Sequence, residues 1–208
     1  QDHQPDAALE ALTAAPRSNC AYRDLAWDAA YVACLTQLGR TEDAHQHHWT
    51  VFLETLDAEN LRAHLKAVPD FDDIEVEDAA KDHALGFDDV SIALHFILNW
   101  PDLEFASRLV QSRTQDLDGS QYDLMNAAAD ALRSRYPLAA SLIWRAMIDW
   151  VLWDGHTARY AFAADHILDC NAADTKITDY GAFPSHTQYI EKLRSQYRHK
   201  SSFWDRLA

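Results

Sequence analysis

Four groupings of charged, imidazole and thiol side chains are spaced so that they could do chemistry. The first is Arg145 with Asp149, four residues apart inside "RYPLAASLIWRAMIDWVLWDG", the most apolar run of the chain. Successive helical residues turn by about 100°, so Ser141, Arg145 and Asp149 form one stripe. Leu142, Ile143, Ala146, Met147 and Trp150 fall elsewhere around the helix. On a surface this is an ordinary ion pair in the less favourable Arg-first order. Buried, it needs further partners, because stranding one charge costs roughly 3–5 kcal/mol. Arg159 and Tyr160, on the segment that follows, are expected to supply them. A structural network is the expected role, and a ligand site the less favoured one; an enzymatic role would need one pocket uniting Arg145, Asp149, Tyr160 and His166.

The second grouping is "HQHHW". On a helix His45 and His48 share a face while His47 points away, and two imidazoles are too few for a closed zinc site. A polar surface is expected there. The third is His166 with Cys170, one helical turn apart beside Asp165 and Asp169. The spacing suits two ligands or a thiolate–imidazole pair. With no orienting third group, a packed histidine and a buried cysteine are expected instead. The fourth is the basic tail "EKLRSQYRHKSSFWDRLA", with Arg194, Arg198 and Lys200 interleaved with Tyr197, Phe203 and Trp204. Such a pattern can hold a phosphate or a single strand. Cations at a helix C-terminus, with Phe203 and Trp204 folded back as a hydrophobic latch, account for it more simply.

Other chemistries find no support. The acidic run "DFDDIEVED" offers Asp70 and Asp72 to a calcium loop but lacks the central glycine and has Lys81 where a carboxylate is needed. "DLDG" at Asp116–Gly119 places its glycine too early, so both read as turns and helix starts. No P-loop, GxGxxG, GxSxG or HExxH occurs. Three cysteines, Cys20, Cys34 and Cys170, form no short-spaced pair, which fits a reducing, cytoplasmic setting without metal or disulfide. No cofactor is expected.

These groups must be positioned by helices. Glycine is scarce, 5 residues of 208, while Ala and Leu abound. "NCAYRDLAWDAAYVACLTQLG" puts Ala21, Leu25, Ala29, Val32 and Leu35 on one face, with Gly39 as a stop. "TEDAHQHHWTVFLETL" follows a two-residue turn, with Thr41 as N-cap and Glu42 and Asp43 in its first turn. Two helices so tightly joined pack antiparallel. "DAENLRAHLKAV" ends at Pro69, and "PDFDDIEVEDAAKDHALGF" begins as a loop. Asp88 or Asp89 caps "DDVSIALHFILNW", and Pro101 opens the next helix. "LDGSQYDLMNAAADALRSRY" pairs with "PLAASLIWRAMIDWVLWDG"; "HTARYAFAADHILDCNAA" and "SHTQYIEKLRSQYRHK" complete the set. The expected class is all-α, an irregular stack of antiparallel hairpins of tetratricopeptide- or HEAT-like α-solenoid type. One domain is expected over 1–208, with a possible division into 1–68 and 88–208 around the acidic segment 69–87. The first residue is Gln, and a C-terminal part of a longer protein is expected.

Charge is unevenly spread. Residues 1–100 hold 6 Lys and Arg against 19 Asp and Glu, and residues 101–208 hold 12 against 14. An acidic half repels a phosphate backbone, so nucleic acid is a disfavoured partner. The longest apolar stretch, Pro137–Trp153, is interrupted by Arg145 and Asp149, and no membrane span or signal peptide is read.

Three further stretches, "YDLMNAAADALRSRYPLAASLIWRAMIDW", "RYAFAADHILDC" and "HTQYIEKLRSQYRHKSSFW", resemble a family of uncharacterised, mostly proteobacterial proteins classed as a domain of unknown function. "DAENLRAHLKAVPDFDDIE" and "LNWPDLEFASRLVQSR" fit its upstream part, so the likeness runs from about Leu25 to Trp204. A similar C-terminal helical region occurs in some SWIM-type zinc-finger proteins. The family usually has His where this chain has Phe162, and a basic His-Gly-Arg-Lys signature where Tyr197, Arg198, His199 and Lys200 stand. The resemblance implies no established activity, and no zinc-knuckle ligands accompany it.

The expected function is a helical scaffold that binds another protein, or the missing N-terminal part of its own parent chain, without catalysis. The alternative is a regulatory domain that binds nucleic acid or a phosphate-containing ligand through the tail. Candidate binding residues are Arg145, Asp149, Arg159, Tyr160, His166, Arg198, Lys200 and Trp204.

Overall fold

The computed structural model describes residues 4–14, 23–69, 71–100 and 102–207. Helices account for all of the regular structure among them. The chain divides into two compact units, Gln1–Phe87 and Asp88–Ala208. Cys20, Ala21, Asp70 and Pro101 lie outside the described residues.

The first unit contains α1 (Gln4–Ala14), α2 (Leu25–Gln37), α3 (Thr41–Thr55), α4 (Ala58–Leu65) and α5 (Asp72–Leu85). Asp24 caps α2 by accepting from the amides of Ala26 and Trp27, and Gly39 takes the left-handed conformation, φ 72°, that closes the α2–α3 turn. Thr41 is not the cap expected of it: Arg40 occupies the position, its side chain on Asp43 and not on a helix amide, and Thr41 is already helical. Consecutive helices pack on each other, and Leu35, Val51, Phe52, Leu61, Ala80 and Ala84 are sealed between them.

One further expectation holds only in part in this unit. Leu25, 45% exposed, and Ala29 point outward, whereas Leu35 of the same predicted face is sealed and Asp28 is buried too. Polar chemistry overrides the apolar stripe here. The Asp28 carboxylate accepts from Arg23 Nε at 2.7 Å and Nη2 at 2.8 Å and faces His47 Nε2 at 2.8 Å, while Arg23 Nη1 also reaches Glu54. Rings of Trp27, Tyr31 and His47 stack alongside. The acidic segment begins outside a helix, as expected, and is helical from Asp72. Its first turn carries Asp72, Asp73 and Glu75, which the positive end of the helix favours, and His83 ties its far end to the Leu53 carbonyl at 2.7 Å.

The second unit contains α6 (Val90–Asn99), α7 (Leu103–Ser112), α8 (Tyr122–Leu132), α9 (Pro137–Asp154), α10 (Tyr160–Asp174), α11 (His186–Tyr197) and the short α12 (Ser201–Trp204). Asp89 caps α6, Asp102 caps α7, and Ser185 with Gln188 forms a reciprocal capping box on α11. α9 starts on Pro137, whose missing N–H costs nothing at a first helical position, and stops at Gly155, φ 72°. It packs on α7, α8 and α10 at once. That central place follows from composition: Ala139, Ala140, Ile143, Met147, Ile148 and Leu152, on several sides of the helix, are all fully buried. No helix among the described residues is long and apolar enough to cross a membrane.

One glycine fixes how the 118–120 turn meets α9. A Cβ on Gly119 would stand 2.3 Å from the Ala146 carbonyl oxygen and 2.9 Å from Trp150 Cβ, and helix backbone cannot yield. Gly119→Ala should therefore lower stability by about 1–3 kcal/mol in a denaturant melt. Gly86→Ala, whose nearest neighbour stands at 3.8 Å, should be nearly neutral in the same assay.

Candidate functional site

The stripe on α9 opens onto a cleft of about 530 Å³ walled by α9, α11 and the 114–119 segment. Arg145 and Asp149 both line it, with Trp150, Trp153, Lys192 and Tyr197. The two charges do not form the expected pair, because no ion pair joins them. Tyr189 stands between. Its hydroxyl donates to Asp149 Oδ1 at 2.9 Å and lies 3.3 Å from the Arg145 carbonyl, while its ring centroid is 4.7 Å from the Arg145 guanidinium carbon. On the other side Tyr180 repeats the motif: ring 5.5 Å from that carbon, hydroxyl donating to Asp174 at 2.5 Å. Arg145 Nη1 donates to the Pro184 carbonyl at 2.8 Å.

Burial sets the protonation of these groups. The Tyr189 phenol is sealed and faces Asp149, which holds it well above its ordinary range and keeps it a donor. Tyr180 is pushed up to about 12, by burial and by Asp174. Burial raises the Asp149 carboxyl, and the Tyr189 hydroxyl, Lys192 and Arg145 offset part of that rise. A half-buried carboxylate with one oxygen engaged by a single phenol is a ready acceptor for a donor entering the cleft.

The partners foreseen for Arg145 are placed elsewhere. Arg159 lies over the rings of Tyr122 and Trp150, 5.7 and 5.2 Å from their centroids. Tyr160 is buried, packs edge-on against Phe203 and accepts from Lys200 Nζ at 3.2 Å. His166 is buried beside Asp169 and Tyr122. Neither Tyr160 nor His166 lines the cleft, so the pocket an enzymatic reading required is not formed. Cys170 is fully buried against the Ser141 carbonyl, and burial pushes its thiol up to about 12, far from a reactive thiolate.

The tail folds back on the unit. Phe203 is fully buried, Trp204 Nε1 donates to the Tyr197 carbonyl at 2.9 Å, and Arg194 covers the Trp204 ring. Lys200 faces the Tyr160 and Tyr197 rings, and Arg198 is exposed. The histidines of "HQHHW" are not simple surface polarity: His47 joins Asp28, and His48 Nδ1 meets Asn60 Oδ1 at 2.7 Å. No group of three or more metal-ligating side chains gathers among the described residues.

Sequence reasoning missed Tyr180, Tyr189 and His186, and placed Lys192 only in the basic tail. A buried cation four residues from a buried anion was the signal that something must separate or join them; "TDYGAFPSHTQY" lies close in space but 30 to 40 residues away in sequence.

The fold and this geometry define an all-helical domain with a mixed-charge, aromatic-walled cleft. Residues 1–206 match the model of the family of unknown function DUF6880, and the chain belongs to that family. No curated protein and no solved structure matches it.

Burial depresses the His166 imidazole, with Asp169 partly opposing, and depresses His186, with Arg145 adding to the effect. As pH falls, the unfolded chain takes up these protons first. Their contribution to stability is therefore complete above the ordinary value of about 6.5 and is lost progressively below it. The melting temperature should fall between about pH 7 and pH 5, and His166→Asn with His186→Asn should flatten that slope. Asp149, raised in the fold, works with the opposite sign in a more acidic range.

Proposed function

We propose that this protein is a helical binding scaffold that takes a segment of another protein, or of a longer parent chain, into the α9–α11 cleft, without catalysing a reaction. The observation that carries the reading is Asp149. It is a half-buried carboxylate with one oxygen held by Tyr189 and no ion pair among the described residues, set in an open cleft beside an indole 77% exposed, Trp153. Exposed tryptophan is among the residue types that most often dominate binding energy. A buried-side carboxylate selects a donor, because an approaching apolar group would strand it. A partner segment with a Lys or Arg side chain meets both demands, its apolar stem on Trp153 and its charge at Asp149. Paired antiparallel helices, of the kind tetratricopeptide- and HEAT-like scaffolds stack, offer such clefts as a by-product of packing.

Capture from a cell extract on immobilised protein, compared across variants, tests this. Proteins retained by the wild type should be lost from both Trp153→Ala and Asp149→Asn, each weakening binding by about tenfold or more. Helicity and melting temperature of the variants serve as the folding control. Equal retention by all three forms would end the proposal.

A further inference from the structure

The most buried arginine of the second unit has an unused face. Arg145 is 5% exposed, and its Nη1 is bound to the Pro184 carbonyl. Its Nε and Nη2 are buried and have no hydrogen-bond partner in the protein. Those two N–H groups point along one edge of the guanidinium, the fork that matches the two oxygens of a carboxylate. The chain shows the same fork at work elsewhere: Arg23 holds Asp28 through Nε and Nη2 at 2.7 and 2.8 Å.

Two carboxylates are linked to the Arg145 surroundings, each held by a tyrosine whose ring faces the guanidinium. Tyr189 and Tyr180 place their rings over the guanidinium and give their hydroxyls to Asp149 and Asp174. The fork is left without an oxygen acceptor, sealed from solvent with the Cys170 thiol beside the guanidinium. Two further buried polar atoms without partners belong to the same neighbourhood. Ser141 Oγ lies one turn from Arg145 on α9, and His186 Nδ1 lies within the field of Arg145 at the first turn of α11. The positive end of α11 adds to the potential there. Arg145 lines the α9–α11 cleft and Ser141 and His186 do not; the four unpartnered atoms are sealed, so an entering group reaches them only by displacing what covers them.

We infer that Arg145, with Ser141 and His186, is a receptor for one carboxylate group entering through the cleft. Nε–H and Nη2–H bind its two oxygens, and the serine hydroxyl and the imidazole N–H complete the shell. The carboxylate comes either from a small free acid or from the C-terminus of a peptide. The inference deepens the binding role proposed above, with Asp149 and Arg145 reading opposite charges in one cleft.

The test is a titration of the full chain at constant ionic strength, followed by the Arg145 Nε–Hε resonance and the His186 ring resonances in NMR spectra. The probes are sodium acetate, acetyl-alanyl-alanine with a free C-terminus, its C-terminal amide, and sodium chloride as the reference anion. A saturable Nε–Hε shift with acetate, absent with chloride, supports the site and names a small acid as the source. Saturation by the free-acid peptide alone, with none by its amide, supports it and names a peptide end. Either should raise the apparent His186 pKa, because an added anion favours the imidazolium. Arg145→Lys, which keeps the charge but not the fork, should lose the response by tenfold or more while His166 signals stay in place. No saturation with any carboxylate, or one equal to that with chloride, overturns the inference. The titration needs no protein partner, so its failure leaves the capture result standing, and a failed capture leaves this one standing.

Discussion

A guanidinium cannot shed its charge, so a buried one must be solvated by whatever the protein brings to it. Arg145 is in that position because the helix around it is otherwise apolar enough to be drawn to the centre of its unit. Everything on the α11 side of α9 answers that demand. The 175–185 segment delivers one carbonyl, from Pro184, and one ring, from Tyr180; α11 delivers a second ring, from Tyr189. Aromatic faces suit a planar, weakly hydrated cation better than they suit an ammonium, so lysine would not serve there. The α11 capping box then has a role beyond local stability. By fixing the start of that helix at Ser185 it sets the rotation that places Tyr189 over Arg145 and its hydroxyl on Asp149.

The cleft is a consequence of what the same elements cannot fill. α9 offers Trp150 and Asp149 toward α11, and the 118–120 turn reaches the helix only because Gly119 has no side chain to collide with Ala146. Beyond the end of α11 the chain turns back through α12. Phe203 fills space against Tyr160, and Trp204 closes on the Tyr197 carbonyl. Tyr197 thereby becomes a fixed wall of the cleft. Two of the tail's cations are occupied with that closure, Lys200 on two tyrosine rings and Arg194 on Trp204, while Arg198 stays exposed and Lys192 lines the cleft.

How much of this was legible follows from the distance over which each interaction acts. Helix identity was legible, because Ala and Leu content, scarce glycine and period are local properties. The central place of α9 was legible for the same reason. The α2 face was partly misread because Asp28 is buried by Arg23 and His47, with Glu54 on the far side of Arg23, and apolar periodicity knows nothing of a carboxylate bound in this way. The acidic segment was read as a loop at its start, and its carboxylates enter a helix from Asp72. Three of them lie in the first turn of α5, where the helix end favours negative charge, and Lys81 pairs with Glu77 one turn away. For the site, the stripe and its two charges could be written down from spacing alone. That Tyr180 and Tyr189 would hold the carboxylates off the arginine could not, since it depends on a turn of eleven residues whose course no periodicity encodes.

Separation of the two charges is what gives the arrangement a use. Had Arg145 and Asp149 closed on each other, each would have satisfied the other and the cleft would have been electrostatically inert. Phenols prevent this at small cost, since a buried tyrosine with a raised pKa stays neutral and cannot trade protons with either partner. Two opposite charges then sit one helical turn apart, each engaged by neutral groups, Asp149 half-buried in the cleft and Arg145 sealed behind it with two N–H groups unpartnered. A region built only for stability would gain by pairing them or by replacing both with apolar residues of similar volume. Keeping both, with two tyrosines holding them apart, is an arrangement that stability alone does not account for, and it supports the binding role proposed above.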